Sequence, residues 1–200
     1  MVRVWRSPLF YRAKPQSPSE TMAAQTLIDF SQDVFTQVGM WGALDDVVMG
    51  GVSQSRAQVG DSALLFTGDV STANSGGFSS IRTRNFERPL DLSGWNGVEL
   101  QVRGDGNRYK LFIRGEERWD GVAHAHSFDT TAGEWQTIRL PFREFVAVFR
   151  AKTVSDRPLD TSQIYAFQLM LSKFEYDGEL NPRFTPGAFR LEMRSLAVYR

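Results

Sequence analysis

Cysteine is absent from this 200-residue chain. That excludes disulfides, thiolate nucleophiles and any zinc site built on sulfur, together with the small disulfide-stapled scaffolds. Histidine occurs only twice, as His124 and His126, so the ordinary general bases near neutral pH are confined to one spot. Net charge is missing too, since 23 Lys and Arg balance 23 Asp and Glu. A neutral chain has no global attraction for nucleic acid or an anionic membrane, although local patches remain. No apolar run approaches the roughly 18–20 residues of a membrane-spanning helix; the longest, around Phe145–Phe149, is far shorter. Helical periodicity is weak throughout, and Gln25–Gln37 and Arg143–Ala151 are each expected to form a turn or two at most.

The remaining composition is that of a globular domain, 42% hydrophobic and 23% charged, with enough chain for one real core. Residues 1–25 stand apart. Arg3, Arg6, Arg12 and Lys14 precede the first acid, Glu20, and Pro15 and Pro18 interrupt any amphipathic helix. Two readings apply: a disordered extension ahead of a start at Met22, which the prolines favour, and a short basic targeting segment. The folded domain is expected over residues 26–200.

Within that domain strand follows strand. Val98–Arg103 alternates apolar and polar residues strictly, and Arg108–Arg114 resumes the alternation beyond Gly104-Asp105-Gly106-Asn107. The pair predicts a hairpin with Val98, Leu100, Val102, Tyr109, Leu111 and Ile113 facing the core and the glycine-rich link as its turn. Further strands are expected at Ala63–Val70, Gly77–Asn85, His124–Asp129 and Trp135–Leu140. Ile164–Lys173 is apolar on both parities, as a strand covered on both faces would be. Phe189–Tyr199 changes parity, which predicts a bulge near Ser195. Long connections are expected at Pro141–Ser162 and Phe174–Pro186. The fold class that follows is all-β, an antiparallel β-sandwich.

Candidate chemistry centres on Leu44-Asp45-Asp46-Val47-Val48-Met49-Gly50-Gly51-Val52-Ser53. A phosphate loop would lead into a helix and carry a lysine; this segment leads into a strand and has none. A calcium loop would alternate its ligands, whereas Asp45 and Asp46 are adjacent. The structural reading is preferred: acids bonding backbone amides, with Gly50-Gly51 allowing close approach or positive φ. His124 and His126 would share one face of a strand, but no third metal ligand is marked by spacing. Trp41, Trp95, Trp119 and Trp135 would serve either sugar stacking or core packing, and packing is favoured for most. The Arg139–Arg157 connection is basic and apolar together, which suits an acidic partner or a cap on the sandwich.

Several of these motifs in order resemble the complex I intermediate-associated protein 30 (CIA30) domain family. They are Trp41 with Asp45, Asp46, Met49, Gly50 and Gly51; Phe66-Thr67-Gly68; Gly76, Gly77 and Phe78 leading to Arg82; and Gly104, Asp105, Gly106 and Tyr109. Trp135, Leu140-Pro141-Phe142 and Gly187–Leu191 complete the set. The resemblance implies a galactose-binding-like jelly roll with no catalytic residues, cofactor or metal to carry over. It also implies a role in assembling a respiratory or photosynthetic membrane complex, in an organellar matrix or stroma or in the cytoplasm. Leu169–Gly178, Asn181-Pro182 and Phe184 resemble the cyanobacterial and chloroplast branch. The expected partners are subunits or assembly intermediates of such a complex. A carbohydrate-binding module and an RNA-binding accessory factor are the alternatives. Contact residues are expected at Arg143, Phe145, Phe149, Arg150 and Lys152, and at Phe174, Tyr176 and Phe184, because long charged and aromatic connections are often functional.

Overall fold

A computed structural model describes residues 24–200, so the extension expected ahead of them lies outside the described residues. Thirteen strands are found there: β1 (Ala24–Asp29), β2 (Trp41–Ala43), β3 (Gln54–Val59), β4 (Leu64–Val70), β5 (Phe78–Thr83), β6 (Gly97–Arg103), β7 (Arg108–Arg114), β8 (Ala123–Asp129), β9 (Trp135–Pro141), β10 (Val146–Phe149), β11 (Lys152–Thr153), β12 (Ala166–Ser172) and β13 (Gly187–Tyr199). One short helix, α1, spans Val34–Gly39. All strand pairings are antiparallel. One sheet runs β3-β4-β13-β6-β9 with β1 also on β13; the other runs β11-β10-β8-β7-β12-β5-β2.

The two sheets face each other across a single core. Phe66 and Phe189 from the first sheet meet edge to face at 4.8 Å, and Tyr109 from the second packs against Phe66 and Phe128. Offset and edge-on arrangements of this kind suit the ring quadrupoles. Every residue that alternation assigned to the core on β6 and β7 is fully buried. Strand β12, between β7 and β5, is covered on both faces. The parity change in β13 is a register shift between Met193 and Ser195 against β6.

Two local expectations are corrected. Strands β6 and β7 are not a hairpin, because they lie in opposite sheets. Alternation reports which face is buried; it does not report which strand lies alongside. Gly104–Asn107 instead arches between the sheets. A Cβ on Gly104 would collide with Thr130, and the Asp105 carboxylate ties the arch down by accepting the Tyr109 hydroxyl at 3.0 Å and the Arg190 amide at 2.8 Å. The segment Gln25–Gln37 holds the short helix expected there, α1, preceded by the strand β1, which its sequence did not announce. Arg143–Ala151 holds a single 3-10 turn at Phe142–Glu144 and then β10, where Val146 and Val148 pair with Ala125 and Ala123. The connection read as loop thus carries a small hairpin that widens the second sheet.

Candidate partner-binding surface

The segment from Leu44 to Ser53 turns its acids inward. Asp46, almost fully buried, accepts from the amides of Ser53, Gly77 and Phe78 and from the Ser53 hydroxyl, at 2.7 to 3.2 Å. Asp45 accepts from the Ser55 amide and hydroxyl and from the Ser80 amide. Since Ser55 lies on β3, an edge of the first sheet, and Ser80 on β5, next to the edge strand β2 of the second, the acids join the two sheets. Gly50 has φ +88°, and a Cβ on Gly51 would strike the Asp46 carboxylate. Burial alone would raise the Asp46 carboxyl, but its four hydrogen bonds outweigh that and hold it below the usual range. Turned outward are Val47, Met49 and Val52, all at least half exposed. Trp41 is buried in the core.

The outer face of the second sheet is where sequence parity misleads. Antiparallel sheets commonly leave one face to water, and outward positions here carry Arg82, Lys110 and Arg114. Yet Arg82 and Lys110 are each 2% exposed. Two loops cover them. The first is a finger, Lys173–Asn181, that leaves β12 and folds back over β7 and β8. Its arms are joined by Asn181 N–H to Lys173 O and Glu175 N–H to Glu179 O, and Asp177 and Gly178 at its tip take positive φ. Lys110 donates to the carbonyls of Phe174 and Glu175, Arg108 pairs with the Glu175 carboxylate at 3.1 Å, and Ser127 donates to it at 2.5 Å. Tyr176 packs on a small cluster of Phe112, Ala123, Ala125 and Val148. Burial pushes the Lys110 ammonium down to about 8, with Glu175 opposing and Arg108 adding to the shift. The second cover is the loop 115–122, held by Arg82 to the Trp119 carbonyl and Arg114 to the Gly121 carbonyl.

These covers bring together residues that are distant in sequence. The Asp177 carboxylate accepts from the Thr153 amide and hydroxyl, and the Asp177 amide donates to Ala151 O. Asp120 pairs with Arg150 at 3.0 Å. Phe149, Arg150 and Lys152 on the β10–β11 hairpin therefore join Phe174, Tyr176 and the exposed Leu180 on the finger in one rim. Arg150 lies over the Phe149 ring and Lys173 over the Phe174 ring, and both rings are 37% exposed. Three expected contact residues do not join them. Phe145 is buried in the main core against Phe142 and His126, so it is a packing residue. Phe184 is half-buried on that core. Arg143 sits on the turn before β10, beside Glu144. Sequence reasoning missed Arg82, Lys110, Arg114 and Glu175, whose outward parity reads as solvent-facing.

The histidines sit on β8 opposite Ile113 and Leu111, hence on one face. His124 Nε2 lies 2.8 Å from Arg157 O and His126 Nδ1 2.8 Å from Ser127 O, so each ring donates to a backbone carbonyl. Among the described residues, no group of three or more Asp, Glu and His side chains is placed to hold a metal. Three of the tryptophan rings carry guanidinium groups: Trp119 under Arg82, Trp95 under Arg200, and Trp135 against both Arg103 and Arg194.

Residues 28–193 match the family profile described as complex I intermediate-associated protein 30 (CIA30). An uncharacterized protein of Schizosaccharomyces pombe is 30% identical over 149 residues, covering 66% of this chain and 68% of its own. A probable mitochondrial complex I intermediate-associated protein 30 of Caenorhabditis elegans is 26% identical over 86% of this chain; the chain spans about half, 54%, of that protein's length. Among solved structures, the family 11 carbohydrate-binding module of a Clostridium thermocellum cellulosomal cellulase superposes with a TM-score of 0.62 at 14% identity, over 90% of this chain and 95% of that one. An agarase superposes with a TM-score of 0.57 at 11% identity, over 88% of this chain and 24% of its own. At such identities the likeness is one of fold: a galactose-binding-like jelly roll.

Proposed function

The chain belongs to the complex I intermediate-associated protein 30 family, and from that premise we propose that it is a non-catalytic binding protein assisting assembly of a membrane complex. Respiratory complex I is the first candidate, because the nematode relatives carry both that name and a mitochondrial one; a photosynthetic complex is the second. The compartment that goes with this reading is an organellar matrix or stroma. No helix of the described residues is long and apolar enough to cross a membrane, so contact with the complex runs through a surface.

The observation that carries the reading is the family match over nearly the whole sandwich. The surface we assign to the client is the rim of Phe149, Arg150, Lys152, Phe174 and Leu180. Exposed rings beside cations, held by a rigid scaffold, are the composition of binding interfaces. The test is capture of the tagged protein from mildly solubilised native membranes, with and without RNase, followed by native electrophoresis. Co-migration with assembly intermediates of one complex, resistant to RNase, is expected, and Arg150→Glu with Lys152→Glu should lower it about tenfold or more. Partners lost on RNase treatment would shift the assignment to RNA. Unchanged co-migration of the double variant would remove the rim. A carbohydrate-binding role has the fold alone behind it, and a neutral-glycan array is expected to be silent.

A further inference from the structure

Arg82 is a buried cation without an acid. Its Nη1 donates to Trp119 O at 2.7 Å and its Nη2 to Asn85 Oδ1 at 3.0 Å, both neutral acceptors. Its Nε has no partner among the described residues, and the same holds for Nε of Arg114. Between them lies Gln168, which accepts from Arg114 and donates to Ser80. Neither guanidinium has a carboxylate within ion-pair distance among the described residues. The acid that acts on Arg114, Asp120, is paired with Arg150. Burial, and then repulsion from Arg114, push Arg82 down to about 10. A desolvated charge with no counter-charge is costly, and an anion entering beside Arg82 would offset that cost.

The opening is next to it. A cleft of about 140 Å³ is lined by Arg82, the exposed Arg84, Trp119 and the chain from Gly39 to Leu44 along β2. The Trp119 ring stacks 3.7 Å from the Arg82 guanidinium and is itself 54% exposed on its loop, so it forms an open aromatic wall of the cleft beside that cation.

We propose that this cleft binds a carboxylate, received by Arg82 and Arg84 beside the Trp119 ring. The planar edge formed by Nε–H and an Nη–H matches the two oxygens of a carboxylate, and guanidinium is well suited to such partly buried pairing. Nη1 and Nη2 of Arg82 already meet neutral acceptors, so a planar carboxylate suits the remaining Nε–H edge better than a bulkier tetrahedral anion. The carboxylate comes either from an acidic side chain or terminus of a protein segment lying along β2, or from a free small dicarboxylate. The site lies on the β5–β2 side of the second sheet, is linked to the rim by the 115–122 loop through Asp120 and Arg150, and does not depend on the assembly reading.

The test titrates the protein with succinate, with a blocked Gly-Asp-Glu-Gly peptide, with phosphate, and with sodium chloride at matched ionic strength. Unfolding temperature and tryptophan emission are both recorded. The expected result is a saturable rise in unfolding temperature with the carboxylates, plus an emission change that disappears in Trp119→Leu. Arg84→Gln, at an exposed position, should weaken binding about tenfold without loss of folding; Arg82→Lys keeps the charge but not the fork and should weaken it as well. Tighter binding of the peptide assigns the site to a protein segment, and tighter binding of succinate to a free dicarboxylate. Equal response to chloride, tighter binding of phosphate than of either carboxylate, or unaltered binding by Arg84→Gln would overturn the proposal.

Discussion

Asp46 shows how one side chain can hold an irregular segment. Its carboxylate receives three amides and a hydroxyl from Ser53, Gly77 and Phe78, which otherwise would be buried donors without acceptors. Asparagine presents an NH₂ where a donor already points, so Asp46→Asn should destabilise the protein by about 3 kcal/mol, read as a lower urea midpoint at pH 7. The sign of its pH dependence follows from the direction of its shift. A carboxyl held below its ordinary value adds stability that is complete above roughly pH 4 and is lost as pH falls through the folded-state value. Wild type should therefore lose its advantage over Asp46→Asn as unfolding is followed from pH 6 down to pH 3; a constant gap would show that Asp46 does not titrate with folding. That acids and glycines recur together here was legible in the sequence. Which amides they serve was not, because the donors lie up to 32 residues away.

At the scale of elements, the finger Lys173–Asn181 stands on the sheet through Lys110, Arg108 and Ser127. Lys110 titrates in the opposite sense to Asp46. Its folded-state value, about 8, lies below its unfolded one, so the native state is penalised while Lys110 is charged. Stability should rise between pH 8 and roughly 10.4 as the unfolded chain keeps a proton that the folded one has released. Lys110→Met should abolish that rise in a pH series of unfolding temperatures, and should speed hydrogen exchange at the amides of residues 174–180. Unchanged exchange there would mean that Glu175 and Asp177 suffice to hold the finger. The finger escaped sequence reading because its segment shows no periodicity, and the hairpin β10–β11 escaped because four residues are too few to display one. Both exist because neighbouring strands offer them pairing partners.

For the molecule as a whole, β13 is the strand on which the first sheet depends. Its first half pairs with β4 through Gly187–Met193, and its second half lies between β6 and β1. Ending the chain after Arg194 removes the half of β13 that joins β1 to the sheet, and the truncated protein should show no cooperative thermal transition in calorimetry; a transition near that of the full chain would contradict this topology. The rim variant Arg150→Glu with Lys152→Glu should behave in the opposite way. Both side chains are exposed, and ion pairs such as Arg150–Asp120 contribute about 0–1 kcal/mol, so its unfolding temperature should stay within about 4 °C of wild type. Weak co-migration with intermediates would then report lost contact and not lost fold.

Alternation in β6 and β7, the two-faced burial of β12 and the parity break in β13 determined from sequence alone that the protein is an antiparallel sandwich and which side chains of β6 and β7 fill it. Those are properties of single strands, set by the two-residue period of the side chains and by the water each face must avoid. Which strands lie side by side, that Gly104–Asn107 crosses between sheets, that the cations of β5 and β7 are covered, and that Phe149 and Phe174 share a rim were decided only by the tertiary structure. Pairing and covering are agreements between distant segments, and local patterning holds no record of the partner.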